Sequence, residues 1–171
     1  MSLKSPGFGL LEVLITVLIF SVGLLGVAAL QAQSKRANFE AMQRTVASVL
    51  ANDIIDRIRA NPDQIAVYAG NSLGSGTITA EPATCASNDT SAICRPKMAA
   101  HDRWEWEQWV DSTSGLAQPT ICIANNANVV TVTISWRGLT EITDANSGSN
   151  CGTASVYRRQ LVASSYIDTT I

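Results

Sequence analysis

One carboxylate inside an apolar run, four cysteines and a single histidine are the residues whose types and spacing suggest chemistry. The carboxylate is Glu12, the only ionisable side chain in the run FGLLEVLITVLIFSVGLLGVAAL from Phe8 to Leu30. A charge near the centre of a membrane helix costs on the order of 2.5–3.5 kcal/mol, and less towards an interface. Such a group calls for a partner. Glu12 lies about one helical turn beyond Phe8. Were the chain cut after Gly7, Phe8 would expose a new positive amine. In a bundle of identical helices, that amine could neutralise the Glu12 of an axially displaced neighbour. A slipped subunit would leave both charges unpaired at low dielectric, so the pair would fix axial register. The plainer alternative is an uncleaved membrane anchor, with Glu12 reaching to the interface.

Cys85, Cys94, Cys122 and Cys151 are too far apart in sequence to offer closely paired zinc ligands, and His101 is the sole histidine. That composition argues against a structural metal site. An even cysteine count downstream of a membrane segment suggests disulfides in an oxidising compartment such as the bacterial periplasm. Four cysteines allow three connectivities. Cys85–Cys94 as a short loop staple and Cys122–Cys151 as a strand-to-loop link are favoured, with free buried thiols as the alternative. His101 and Asp102 are adjacent, and neighbours on a helix point apart. Nucleophile elbow, phosphate loop and metal pair are all missing from the sequence. No catalytic residue, metal, cofactor or small-molecule substrate is expected. The formal net charge of −2 gives no global basic field. Arg95, Lys97, Arg137, Arg158 and Arg159 could contact phosphates, but acids at positions 81, 89, 102, 105, 107 and 111 dilute them. Nucleic acid is not the expected partner.

The elements that must position these residues follow from patterning. The chain's 171 residues suit one compact domain plus an appendage. A helix from Phe8 to Leu30 would be ~35 Å long, enough to span a bilayer core of roughly 30 Å. The run is too long for an ordinary secretory signal and no small-x-small cleavage site follows it, so it is expected to be retained. Residues 31–61 continue as an amphipathic helix. Phe39, Met42, Val46, Val49, Leu50, Ile54 and Ile58 form its apolar stripe, Lys35 and Arg36 mark its exit from the bilayer, and Asn61-Pro62 ends it. Residues 63–96 read as a connecting loop, with one short strand near Thr77–Thr79. Met98–Val110 reads as a short helix in which Trp104, Trp106 and Trp109 cannot share one face. At least one of them should therefore be partly exposed. Thr120–Ala124 and Val129–Trp136 alternate as strands joined by a turn at 125–128, with Val130, Val132, Ile134 and Trp136 on one face. Val156–Ile167 is a third strand, whose Arg158 and Arg159 read as a solvated face.

Gly7-Phe8 followed by Glu12 within an otherwise unbroken apolar helix resembles the prepilin signal of type IV pilins and type II secretion pseudopilins. The resemblance implies cleavage after Gly7 by a membrane-embedded prepilin peptidase, N-methylation of Phe8, and Glu12 as the carboxylate that sets subunit register. It also implies the α+β pilin fold, a long N-terminal α-helix with a hydrophobic first half, packed on a C-terminal antiparallel β-sheet. Residues 1–7 would be the leader peptide, 8–30 the transmembrane and filament-core helix, 31–61 the amphipathic half, and 62–171 a periplasmic globular domain. The stretches TVLIFSVGLLGVAALQ, DRWEWEQW and YRRQLVASSYI are most similar to the PilV family of minor pilins. The lack of a proline between Phe8 and Asn61 departs from major pilins, which commonly carry a kinking proline there. A minor pilin of this kind helps to initiate pilus assembly for twitching motility and adhesion. Its implied partners are prepilin peptidase, other minor and major pilins, the inner membrane before assembly, and a tip adhesin. It moves from the inner membrane to the pilus fibre at the cell surface. A minor pseudopilin of a type II secretion system and a DNA-uptake pilin are the alternative functions.

Overall fold

The computed structural model describes residues 9–74, 80–142 and 151–168. Helix α1 spans Leu10–Ala60, a 3-10 turn spans Pro62–Gln64, and helix α2 is the single turn Ile65–Tyr68. Strand β1 (Gly70–Leu73), helix α3 (Ser91–Thr113) and strands β2 (Thr120–Asn126), β3 (Val129–Arg137) and β4 (Arg158–Tyr166) complete the order. The architecture is α+β, with a long N-terminal helix and a four-stranded antiparallel sheet ordered β1-β2-β3-β4. Packing divides the chain into two units, Met1–Phe39 and Glu40–Ile171. Among the described residues, every buried one belongs to the second.

Helix α1 stops at Ala60 because the residue before a proline is pushed out of helical geometry. Asn61 sits at φ −133° and ψ 60°, and Pro62 opens the 3-10 turn, where its missing N–H costs nothing. From Glu40 onward the helix buries one face, made of Gln43, Ala47, Leu50, Ala51, Ile54, Ile55 and Ile58. This differs from the expected stripe. Met42 and Val49 are 53% and 54% exposed, Phe39 is also exposed, and Val46 is only half-buried. Met42 and Val49 share a face, but it is turned by one residue, about 100°, from Gln43 and Leu50. Two alanines on the buried face, invisible to a search for large apolar residues, allow close approach.

The segment expected as a connecting loop is more structured than its composition suggested. It contains the 3-10 turn, α2 and β1, and α3 begins at Ser91 rather than Met98. Ile65 and Tyr68 bury the single turn of α2, which is too short to show a period. Pro96 lies inside α3 and deprives it of one backbone donor. Tertiary ties carry the helix through it. The Cys85–Cys94 disulfide holds the first turn, Arg95 reaches Asp63 at 2.7 Å, and Lys97 reaches Asp89 at 2.8 Å. The proposed strand near Thr77–Thr79 lies outside the described residues.

In the sheet, β2 runs to Asn126, so the hairpin turn is only Ala127-Asn128. Both residues have positive φ, 47° and 68°, the geometry of a two-residue turn that suits strand twist. Asparagine is a poor strand former, which puts the expected turn at 125–128, yet Asn125 and Asn126 pair with Val130 and Val129. Val130, Val132, Ile134 and Trp136 all face inward. They meet Trp106, Val110, Tyr68 and the buried face of α1 in one core. Trp106 is fully buried, Trp104 half-buried and Trp109 exposed, as one helical face cannot hold all three.

Ile54 has no solvent contact. Ile54→Ala is expected to destabilise the folded domain by about 2–5 kcal/mol, read as the urea midpoint of tryptophan fluorescence. A loss under about 1 kcal/mol, the average for any substitution, would mean that the face assigned here is not the packed one.

Candidate functional site

Two groups of residues bear on function, and each lies within one unit. The first is the N-terminal part of α1. None of residues 10–38 is buried, and Leu10, Phe20 and Leu30 are 80%, 68% and 69% exposed. Apolar side chains cover every side, and the helix is long and apolar enough to cross a membrane. Its hydroxyls are spent internally, since Thr16 donates to the Val13 carbonyl and Ser21 to the Leu18 carbonyl, both at 2.8 Å. Hydroxyls bonded back onto their own helix are tolerated in lipid or in a helix bundle. Glu12 sits in the first turn, where the helix dipole favours negative charge. Its backbone N–H bonds the Gly9 carbonyl at 3.0 Å. Among the described residues its carboxylate has no ion pair. Gly7 and Phe8, the expected cleavage and methylation positions, lie outside the described residues.

The second group ties the domain from Glu40 onward. Cys85 is disulfide-bonded to Cys94 and Cys122 to Cys151. Arg57 of α1 pairs with Asp53 one turn earlier at 3.1 Å and with Asp102 of α3. Burial works against this guanidinium charge, but the two carboxylates outweigh it and raise its pKa. Tyr68 donates to the other oxygen of Asp102 at 2.7 Å, and burial together with that carboxylate holds the phenol well above its ordinary value. His101 turns away to Glu81 at 3.2 Å, so the adjacent His101 and Asp102 serve different partners. Glu40 is bound from the far end of the chain. The Thr140 hydroxyl donates to it at 2.6 Å, the Thr140 N–H at 3.2 Å, and Arg159 pairs with it at 3.4 Å. Chiefly through the Thr140 hydroxyl, its pKa falls below the ordinary 4.5.

Arg158 and Arg159 are therefore not the solvated face expected from the sequence. Arg159 closes the Glu40 tie. Arg158 lies against the protein, its Nε donating to Ser135 at 3.1 Å, its Nη1 to the Gln118 carbonyl at 3.0 Å, and its Nη2 to the Thr120 hydroxyl. Gly152, at φ +80°, makes this possible, because a Cβ there would stand 2.4 Å from the guanidinium. Of the five cations considered for phosphate contact, Arg95, Lys97 and Arg159 are held by carboxylates. Sequence reasoning passed over Glu40, Thr140 and Tyr68, and weighed Asp102 only beside His101 and as a diluting acid. Only the Asp53–Arg57 spacing of four could have signalled part of that network.

Residues 3–28 match the prokaryotic N-terminal methylation motif, and residues 29–104 match the family described as Type IV pilin Tt1218. Together they support the type IV pilin superfamily. No curated protein and no solved structure matches the chain. The two matches adjoin within α1. The first covers the exposed apolar stretch with Glu12, and the second covers the amphipathic stretch through most of α3. The α+β arrangement of a long N-terminal helix and an antiparallel sheet is that of the pilin fold, and pilins are structural subunits.

The Glu40 tie gives the domain a defined acid response. Because its folded pKa is depressed, Glu40 contributes stability at neutral pH that is lost as pH falls from the ordinary glutamate value through the folded one. Glu40→Gln should lower stability at pH 7 and by a smaller margin at pH 3. Urea unfolding at the two pH values checks this, and an equal deficit at both would show that the carboxylate charge is not what matters.

Proposed function

We propose that the chain is a minor pilin subunit of a type IV pilus, of the PilV kind, processed by prepilin peptidase and helping to initiate pilus assembly for twitching motility and adhesion. Cleavage falls between Gly7 and Phe8, Phe8 is methylated, and the new amine neutralises Glu12 of a neighbouring subunit. The observation that carries this reading is the pairing of an all-round apolar helix with one unpartnered carboxylate, within the stretch that matches the methylation motif. A carboxylate kept in such a helix needs an opposite charge from elsewhere, and a processed N-terminus one turn away supplies it at the right depth. The subunit resides in the inner membrane with its folded domain in the periplasm, then enters the fibre with other minor and major pilins.

The decisive measurement is mass spectrometry of the mature protein, which should begin at a methylated Phe8. Gly7→Val should leave a precursor heavier by the seven leader residues; normal processing of that variant would remove the peptidase assignment. Glu12→Ala should be cleaved yet enter filaments roughly thirtyfold less well, because desolvated charge pairs commonly carry about 2 kcal/mol or more. Unchanged incorporation would mean another contact sets register. Deleting the gene separates this role from a pseudopilin's, since lost surface pili indicate the former and trapped exoproteins the latter.

A further inference from the structure

Among the cations from Glu40 onward, Arg57, Arg59, Arg95, Lys97, Arg103 and Arg159 all form ion pairs. Arg137 and Arg158 do not among the described residues, nor does the helix residue Arg44. Arg137 and Arg158 are direct cross-strand partners at the end of the β3–β4 ladder. Like charges placed opposite each other destabilise a sheet, so the pair is unfavourable unless an anion joins it. Both line an open groove of about 1010 Å³, together with Gln118, Gly152, Tyr157 and Asp111.

The groove is built rather than incidental. Arg158 spends three of its five N–H donors on neutral oxygens, which fix its plane and leave two donors free. Ser135 relays this to the backbone by donating to the Cys151 carbonyl at 2.9 Å, and the Cys122–Cys151 disulfide clamps that backbone beside Gly152. Arg137 stacks on the Tyr157 ring with its guanidinium 5.5 Å from the centroid. Tyr157 in turn donates to Glu141 at 2.7 Å. Burial lowers the Arg158 pKa with no carboxylate to offset it, in contrast to Arg57.

We propose that this groove receives a carboxylate carried on an acidic segment of a neighbouring pilin subunit. A planar, singly charged carboxylate takes two parallel N–H donors, the number that Arg158 has left, and Arg137 adds a second charge. Asp111 on the wall and Glu141 behind Tyr157 disfavour a polyanion, which makes a run of nucleic-acid phosphates the poorer occupant. The partner's identity rests on the subunit reading above, but binding does not require assembly, so either can fail while the other stands.

The test uses the full-length protein in detergent micelles with ¹⁵N-labelled arginine. The probes are a blocked glutamate-containing pentapeptide, its glutamine counterpart, inorganic phosphate and a short DNA duplex. The glutamate peptide should move the Arg137 and Arg158 Nε–H resonances together and saturate at roughly millimolar concentration. Arg137→Gln, an exposed change, should weaken binding roughly tenfold, as loss of a charge-assisted bond does. Arg158→Lys should do the same by keeping charge but losing the fork; if it fails to fold, Arg137→Gln decides alone. An equal response to the glutamine peptide, tighter binding of phosphate or DNA, or an Arg137→Gln protein that binds as the parent does would each overturn the proposal.

Discussion

A single helix here has to meet two different surroundings, and most of the chain follows from that constraint. Up to Leu30 its side chains are apolar on all sides, so no one face can be satisfied at the expense of another and none is buried within the chain. From Glu40 the apolar residues retreat to one face, the arrangement that lets water have the other. The change of pattern leaves the N-terminal surface to lipid or to other helices, and the domain from Glu40 has to be stable without it. That domain holds the whole buried core, with Trp106, Tyr68 and the inward side of β3 closing over the α1 face. Two disulfides tie its loop-rich parts, as suits a small domain in an oxidising compartment.

Charge placement divides along the same line. In the folded domain, partly buried charges are mostly met by opposite ones drawn from distant sequence. Arg57 meets Asp102 across 45 residues, and Glu40 meets Arg159 across 119. Breaking such a pair strands a charge out of water, which makes these ties determinants of local geometry as well as contributors to stability. Against that background the exceptions stand out. Glu12 on the apolar helix and the Arg137–Arg158 pair at the sheet end lack counter-charges among the described residues. One is a lone acid in apolar surroundings and the other is a concentration of base. Both are arrangements that a second molecule can complete.

Sequence by itself determined the bipartite helix, its end at Ala60, the inward side of β3 and the anomaly of Glu12. Each of these is written in local terms, as a run of apolar residues, an Asn-Pro step, an alternation of period two or one charge among hydrocarbons. Tertiary structure alone decided which face of α1 is buried, because Gln43, Ala47 and Ala51 enter the core by fit rather than by hydrophobicity. It carried α3 through Pro96 by a disulfide and two ion pairs, and it built β1 from a segment with no period to read. It also gave Arg158 and Arg159 their opposite roles. Consecutive strand residues point to opposite sides, and what waits on each side, Glu40 and Thr140 for one and Ser135, Gln118 and Thr120 for the other, is fixed by chain segments far away in sequence.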